Sequence, residues 1–325
     1  MTINRKNSKL IAAEATIHLE QINQLMNSNI KNLYRTFGIT VCAGAVTMTV
    51  FGASAQNIFV GDWYSGTVNK VTGIDSFSPF GSGSTGRPEG MAFDSFGDLF
   101  VADSGANQID EFTPGGSEST PISTGLNNPD GLAFNSVGDL FVADHNTGNI
   151  YEYIGGVQHT YATGITDANQ LVFDAAGDLF VSGNFDNTIT EIAPGGGSSK
   201  VFTTGQYLNG PNGMAFNNAG DMFVANAFGN NVIEITPDGT QSVYAVGLNG
   251  PGGLAFDNSG NMFVTDENNG DLTEISGGTE TTYATGLGDP TVMAIQGVTL
   301  PVPEPSTFAL AVVGGAALLL RRRKN

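Results

Sequence analysis

The stretch Pro129-Asp-Gly-Leu-Ala-Phe-Asn-Ser-Val-Gly-Asp-Leu-Phe-Val-Ala-Asp144 recurs with small changes along most of this 325-residue chain. Related units begin at Pro88, Ala168, Pro211, Pro251 and Pro290, and the successive spacings are 41, 39, 43, 40 and 39 residues. Short apolar runs separated by Gly and Asp turns, repeated about every forty residues, predict a β-propeller or a related array.

Each unit has the pattern of four short strands. In the quoted unit, residues 132–134 and 140–143 are apolar, residues 149–154 alternate between apolar and polar, and residues 158–162 form a more polar run. The turns between them contain glycine, which adopts a positive φ without steric cost. Four antiparallel strands joined by short turns make one propeller blade.

The two ends of the array complete each other. Residues 57–62 match the second strand of the repeat and residues 67–72 match the third, whereas residues 290–295 match a first strand with no successor. Joined, they make one composite blade, which closes the ring and removes exposed sheet edges. We therefore predict an all-β, six-bladed propeller of four-stranded antiparallel blades over residues 56–300, flanked by an N-terminal signal and a C-terminal apolar helix.

Residues 1–55 are predicted to be a signal-peptide region. Residues 26–35 are weakly basic, residues 36–52 are apolar and uncharged, and Ala53-Ser54-Ala55 fits a signal-peptidase site. Because this signal is complete from Met26 onwards, we expect translation to start there and export to follow the Sec route; a retained membrane anchor is the alternative. The single cysteine, Cys42, lies in the apolar core, so the exported domain is expected to be held by packing alone.

The C-terminal residues 301–325 combine Pro303-Glu304-Pro305, an apolar run over residues 308–320, and the basic cluster Arg321-Arg322-Arg323-Lys324. This order closely resembles the PEP-CTERM sorting signal of Gram-negative bacteria that produce exopolysaccharide. The resemblance implies transient membrane anchoring and an exosortase-type protease as a partner. It places the protein at the cell surface, in the outer membrane or in the extracellular matrix. An ordinary tail anchor is the alternative reading.

The mature domain is strongly acidic. Between Gln56 and the tail it carries three basic residues against 28 acidic ones, a formal net charge of −25. Such a surface repels phosphate backbones, which excludes nucleic acid as a partner. It suits divalent cations, cationic ligands or simple solubility outside the cell.

The repeats resemble NHL repeats, in which Pro-x-Gly is followed by two apolar strands, the second ending in Ala-Asp. The unit at Ala168 departs from this pattern, with Ala168-Asn169-Gln170 at its start and Ser182-Gly183 at the later position. The same six-bladed shape is shared by the regucalcin/gluconolactonase family. Together these resemblances cover approximately residues 57–296.

The variable residue x of Pro-x-Gly is placed at the mouth of the central channel. The six positions are Glu89, Asp130, Asn169, Asn212, Gly252 and Thr291. Two carboxylates and two amide oxygens converging on one axis suit a hard cation such as calcium. The regucalcin/gluconolactonase resemblance implies one divalent ion, calcium or zinc, with Glu89 and Asn212 as the best-matching ligands and Asp130 and Asn169 as looser ones. Turn capping by these side chains is the alternative.

Other polar and aromatic residues are predicted on the same face. Asp62, Asp103, Asp144, Asn226 and Asp266 each close a second strand, and we expect them to accept hydrogen bonds from backbone N–H groups of the next turn. Trp63 and Tyr64 follow Asp62 and are candidates for stacking on a sugar ring, or for packing at the seam. Among candidate catalytic groups, Asp130 and His145 could act as bases. Paired catalytic histidines, as in propeller lyases, are not indicated.

Two functions follow from this reading. The first is an exported, surface-sorted propeller that binds a carbohydrate or a protein on this face without catalysis. The second is a metal-dependent lactone or ester hydrolase of the regucalcin/gluconolactonase kind, in which a bound cation polarises the carbonyl and Asp130 acts as base. A purely structural component of an extracellular matrix remains a third reading.

Overall fold

The computed structural model describes residues 38–42, 45–49, 56–81, 85–204 and 207–297. The chain divides into two units, Met1–Ala55 and Gln56–Asn325. In the first, β1 (Gly38–Cys42) and β2 (Ala45–Thr49) form an antiparallel hairpin within the apolar core of the predicted signal. Met26, the predicted cleavage motif and the predicted C-terminal helix lie outside the described residues. The described residues include no helix long and apolar enough to cross a membrane.

The described residues of the second unit form 24 strands and one turn of 3-10 helix at Ala227–Gly229. The strands are β3 (Ile58–Asp62), β4 (Thr67–Gly73), β5 (Ser76–Pro79), β6 (Pro88–Phe93), β7 (Leu99–Asp103), β8 (Gln108–Phe112), β9 (Glu118–Ile122), β10 (Pro129–Phe134), β11 (Leu140–Asp144), β12 (Asn149–Ile154), β13 (Val157–Ala162), β14 (Ala168–Phe173), β15 (Leu179–Gly183), β16 (Thr188–Ile192), β17 (Ser199–Thr204), β18 (Pro211–Phe216), β19 (Met222–Asn226), β20 (Asn231–Ile235), β21 (Gln241–Val246), β22 (Pro251–Phe256), β23 (Met262–Asp266), β24 (Asp271–Ser276), β25 (Thr279–Ala284) and β26 (Pro290–Ile295).

These strands form six antiparallel sheets of four. Blades 1 to 5 take consecutive strands, starting at β6, β10, β14, β18 and β22, and blade 6 has the order β26-β3-β4-β5. The pairing of β26 with β3, from Pro290 opposite Asp62 to Ile295 opposite Ile58, closes the ring between the two ends of the propeller. The predicted fold class and the composite blade are confirmed.

Burial follows the position of each strand in its blade. The second strands β11, β15, β19 and β23 are buried along their whole length, because both faces lie against neighbouring blades. Outer strands such as β9 and β25 are mostly exposed. This explains why the second strand reads as a continuous apolar run and the fourth as a polar one.

A repeated aromatic contact joins neighbouring blades. At five seams, the phenylalanine that ends a first strand packs edge to face on the second-strand phenylalanine of the preceding blade, with centroids 4.9–5.3 Å apart. The pairs are Phe59–Phe93, Phe100–Phe134, Phe141–Phe173, Phe180–Phe216 and Phe223–Phe256. At the sixth seam Ile295 shares a buried cluster with Phe263. Edge-to-face pairs add about 0.5–1.5 kcal/mol each beyond area burial.

The glycine of Pro-x-Gly is required by contact between first strands around the axis. A Cβ on Gly90 would lie 2.0 Å from the carbonyl oxygen of Asp130 in the next blade, and one on Gly131 would lie 2.4 Å from that of Asn169. The register between first and second strands also shifts by one residue at this motif in every blade. Such a bulge re-aims the side chain of x relative to the strand.

Two blades lack this glycine and compensate differently. In blade 3, the N–H of Gln170 donates to Ser182 Oγ at 3.0 Å, and its side-chain Nε2 donates to the carbonyl of Glu89, two blades away, at 2.6 Å. In blade 6, Val292 lies opposite Gly61, where a Cβ would meet Val292 Cγ1 at 2.8 Å. Gln170 and Ser182 both differ from the repeat pattern and contact each other, so the two differences depend on one another. The same holds for Val292 and Gly61.

The acidic and amide residues that close the second strands hold loops by accepting from backbone N–H groups. The prediction named the next turn, from which Asp62, Asp103 and Asp144 do accept, but the loop that leads into the blade is held as well. Asp103 accepts hydrogen bonds from the N–H groups of Gly86, Arg87 and Ala106 at 2.6, 3.1 and 2.9 Å. Asp266 accepts from Asn249 N–H at 2.8 Å, and Asn226 accepts from Asn209 N–H at 2.5 Å. Each such residue ties the loop that leads into its own blade to the end of the second strand.

Replacing Gly90 with alanine should destabilise the ring by at least about 2 kcal/mol, because the new methyl group displaces a neighbouring backbone carbonyl at the axis. The measurement is the free energy of unfolding in urea. Gly73→Ala is the matched control, since its Cβ would have no atom within 4 Å. Equal stability of the two variants would contradict the close approach of first strands.

Candidate functional site

The residues predicted to face a ligand do lie at one end of the ring, which we call the top face. It is formed by the loops that lead into the first strands and by the loops that join second and third strands. Side chains from these two kinds of loop contact each other directly, for example Trp63 with Glu89 and His145 with Asp130. The structure thus brings together groups from different blades that the sequence placed in separate repeats.

Glu89 and Trp63 form the first contact, across the seam between blades 6 and 1. Trp63 Nε1 donates a hydrogen bond to Glu89 Oε1 at 2.6 Å. The guanidinium of Arg87 lies over the indole, with its central carbon 4.7 Å from the ring centroid, a distance at which a cation–π attraction operates. Tyr64 is 84% exposed beside them. Trp63 is therefore a partner of Glu89, while Tyr64 remains open to solvent.

His145 lies between two carboxylates on the top face. Its Nδ1 is 3.2 Å from Asp130 Oδ2 and its Nε2 is 3.4 Å from Asp167 Oδ1. Asp130 Oδ2 is close enough to Nδ1 for an ion pair when the imidazole is protonated, although Nδ1 is buried and makes no hydrogen bond of ordinary geometry. The adjacent carboxylate of Asp130 raises the pKa of His145 against a smaller opposing effect of burial. His145 thus joins two carboxyl groups of the acidic cluster.

Glu267 belongs to the site but was missed in the sequence. A Cβ on Gly252 would lie 2.4 Å from Glu267 Oε1, so this carboxyl group occupies the space that residue x leaves empty in blade 5. Glu267 directly follows the second strand, in the same repeat position as Trp63 and His145. A glycine at x together with a glutamate at this later position is the signal that could have identified it.

Repulsion and burial dominate the electrostatics of the top face. Burial, then the charge of Asp130, raises the pKa of Glu89 to about 8, although Trp63, His145 and Arg87 oppose the rise. Burial, then the charges of Asp289 and Glu89, raises the pKa of Glu267 to about 8. Burial likewise raises the pKa values of Asp130, Asp167 and Asp289. Removal from water disfavours each negative charge, and like charges add to the cost.

The predicted metal ligands are only partly assembled. Asn169 Nδ2 donates to Asp130 Oδ2 at 3.4 Å, and Asn169 Oδ1 is buried without a hydrogen-bond partner. Glu89 uses Oε1 to accept from Trp63, and Asn212 is half-buried on β18. The described residues contain no group of three or more His, Cys, Asp or Glu side chains arranged to hold a metal ion.

A cavity of about 920 Å³ opens on the opposite, bottom face. It is lined by the ends of first strands, including Phe93, Phe134 and Phe173, and by the turns after them. These turns are Asx-type hairpins, in which Asp94 Oδ1 accepts from the N–H groups of Phe96 and Asp98. Its walls combine aromatic side chains with polar turns, whereas the buried, clustered carboxyl groups and His145 lie on the top face. We therefore assign the candidate site to the top face.

Comparison with known proteins supports the fold and the sorting signal. A family model described as a PEP-CTERM protein-sorting motif matches residues 301–324. The chain therefore carries this motif, which implies export, processing by exosortase-type machinery and cell-surface sorting in Gram-negative bacteria. A search of curated proteins found no match.

Several solved structures share the architecture at low sequence identity. A chain of a nidogen/laminin complex aligns with a TM-score of 0.67 and 17% identity, over 74% of this chain and 98% of its own. Streptogramin B lyase aligns at 0.58 and 18%, over 79% and 85%. An auxiliary nutrient binding protein from Bacteroides ovatus aligns at 0.53 and 15%, over 64% and 66%. At these identities the likeness shows the propeller fold alone.

Glu89→Gln and Glu267→Gln should each make the protein more stable at pH 9 by about 2 kcal/mol or more. A glutamate that titrates near 4.5 when unfolded and near 8 when folded holds its proton in the native state. The contribution of this glutamate to the free energy of unfolding is therefore greatest below pH 4.5 and is lost as the pH rises through 8. Unfolding in urea at pH 5, 7 and 9 measures the difference, with the exposed Glu280→Gln as control. Parallel pH profiles for all variants would refute this.

Proposed function

We propose that this protein is an exported, surface-sorted binding module whose top face takes an extracellular ligand, a polysaccharide or a protein. The observation that carries the proposal is the gathering of Glu89, Asp130, Asp167, Glu267 and Asp289 around one end of the ring. Buried carboxyl groups that repel one another are costly to the fold. A ligand that supplies hydrogen-bond donors or positive charge offsets that cost. A role in binding such a ligand therefore accounts for the cluster.

The sorting motif supports this reading of location. It implies that the propeller is delivered to the cell surface, and we place the processed domain in the outer membrane or the matrix. Its charge disfavours acidic polymers unless a cation intervenes, because like charges repel over the Debye length. Neutral polysaccharides and proteins are therefore the favoured ligand classes. Streptogramin B lyase and the nutrient binding protein show that propellers of this shape occur both as enzymes and as binding proteins.

Binding is favoured over acid–base catalysis by the contacts of His145. Both ring nitrogens already lie against carboxylates of this chain, Nδ1 3.2 Å from Asp130 and Nε2 3.4 Å from Asp167, rather than facing an open substrate position. The other described histidine, His159, is exposed on β13. The two residues share no site, so this part of the chain has no pair of catalytic histidines.

The double variant Asp130→Asn with Glu267→Gln should lose ligand binding by about tenfold or more. The ring from Gln56 to Gly297, whose ends pair within blade 6, is immobilised and exposed to polysaccharide and protein fractions from the surface of the producing cells. Phe96→Ala, on the bottom face and 85% exposed, serves as control. A ligand retained equally by the top-face variant would refute the assignment, as would no ligand in any fraction.

A metal-dependent lactone or ester hydrolase is the second candidate. The specific observation in its favour is the orphaned, buried Asn169 Oδ1 beside Asp130. A divalent cation, calcium or zinc, would be held by Glu89, Asp130, Asn169 and Asn212, and would supply Lewis acidity at a carbonyl oxygen. Trp63 would then have to release Glu89 Oε1.

Under this second candidate, calcium or zinc should bind the ring with a Kd below about 1 mM in calorimetry. Asn212→Ala and Asp130→Asn should each weaken that binding about tenfold, whereas Asn146→Ala, in an exposed loop of the same face, should not. The wild type should also turn over some member of a lactone and ester panel. Absence of cation binding, or binding without turnover, eliminates the hydrolase.

A further inference from the structure

Three exposed aromatic residues occupy the same repeat position on the top face. Tyr64, Phe185 and Phe228 are each the second residue after a second strand, in blades 6, 3 and 4. They are 84%, 72% and 57% exposed. The equivalent residues of the other blades are Gly105, Asn146 and Asn268. We call Tyr64, Phe185 and Phe228 the aromatic rim.

The backbone holds each rim residue in place. The N–H of Tyr64 donates to Asp62 Oδ1 at 3.0 Å, that of Phe228 donates to the carbonyl of Asn209 at 3.0 Å, and that of Phe185 donates to Asp167 Oδ2. The ring of Phe228 also lies directly over Gly210, where a Cβ would meet it at 2.6 Å. The rings are therefore presented on anchored loops, which lowers the entropy lost on binding.

The rim forms two patches on opposite sides of the ring. Phe185 and Phe228 contact each other with centroids 6.1 Å apart, and Tyr64 contacts Trp63 with centroids 6.4 Å apart. Blades 3 and 6 are separated by two blades in either direction, so the patches face each other across the axis. Exposed, anchored aromatic rings are typical of interaction surfaces.

Between the two patches lie carboxyl groups with little positive charge. Glu89, Asp130, Glu267 and Asp289 occupy the centre, and the mature domain has only three basic residues. One of them, Arg87, stacks on Trp63, whose indole N–H donates to Glu89, so the site already contains a guanidinium packed on an aromatic ring near a carboxyl group. Further positive charge must come from outside the chain.

We propose that the aromatic rim and the acidic centre together bind an extended protein segment that presents arginine or lysine side chains. The methylene stems and guanidinium planes pack on Phe185, Phe228 and Tyr64, and the charged ends reach the carboxylates. This proposal rests on the proposed binding function and narrows it to one ligand class. A neutral polysaccharide stacks on the rings but leaves the repulsion among the carboxyl groups unrelieved, so the charge complementarity favours a basic protein.

The test uses a short synthetic peptide that carries two arginines, and the same peptide with citrulline in their place. Citrulline keeps the shape and removes the charge. Fluorescence anisotropy with the ring from Gln56 to Gly297 should show binding of the arginine peptide and at least about tenfold weaker binding of the citrulline peptide. Raising NaCl to about 0.5 M should weaken binding of the arginine peptide, because salt screens the attraction between the arginines and the carboxylates.

Variants test whether the aromatic rim, rather than another part of the surface, binds the peptide. The double variant Phe185→Ala with Phe228→Ala should bind the arginine peptide at least about fivefold more weakly. The exposed bottom-face variant Phe96→Ala should bind it as the wild type does. Because all three side chains are exposed, none of these changes should lower the thermal unfolding temperature. Equal binding by the rim variant, or equal affinity for the two peptides, would overturn the proposal.

Binding of a neutral glucan hexamer distinguishes the basic-segment proposal from the broader proposed binding function. If the hexamer binds, is lost in the rim variant and outcompetes the arginine peptide, the basic-segment proposal fails and the binding function stands. If peptide, hexamer and cell-surface fractions all fail to bind the top face, the binding function itself fails.

Discussion

The close contact of first strands around the axis is the constraint on which the rest of the molecule depends. In three blades the glycine of Pro-x-Gly leaves room for the next blade's carbonyl oxygen, as at Gly90 and Asp130, and in a fourth Gly253 leaves room for the backbone nitrogen of Met293. The associated bulge carries residue x to the same end of the ring in each blade. One backbone requirement therefore both closes the propeller and brings the six variable positions, five of which carry a side chain, to its top face, while the phenylalanine pairs join neighbouring blades farther out.

That concentration sets the chemistry of the face. Carboxyl groups from separate repeats meet where water is partly excluded, and the chain supplies few countercharges. His145 lies between Asp130 and Asp167, and Arg87 reaches Glu89 only through Trp63. Glu89 and Glu267 consequently hold protons well above their ordinary range. A site in this state responds to incoming positive charge or hydrogen-bond donors, and the anchored aromatic rim adds apolar contact around it.

The fold and much of the site could be predicted from the sequence, because turn and strand signals are local and repeat six times. The composite blade followed from the unmatched strands at 57–62 and 290–295, and the loop-holding role of Asp103 and its equivalents followed from their position. Glu267 is recognisable only when its position is considered together with the space left at Gly252, fifteen residues earlier. The bond from Gln170 to Glu89 links residues 81 apart and depends on the closed ring.

The sequence by itself determined the number of blades, the order of the strands, the sorting motif, and which residue types stand at each repeat position. These depend on spacing, hydrophobic pattern and turn chemistry, which are properties of neighbouring residues. Only the tertiary structure decided which of those residues meet: Trp63 with Glu89, His145 with two carboxylates, Phe185 with Phe228. Distances between blades arise from ring closure, and burial and repulsion, which fix the charge states of the site, exist only once the ring has closed.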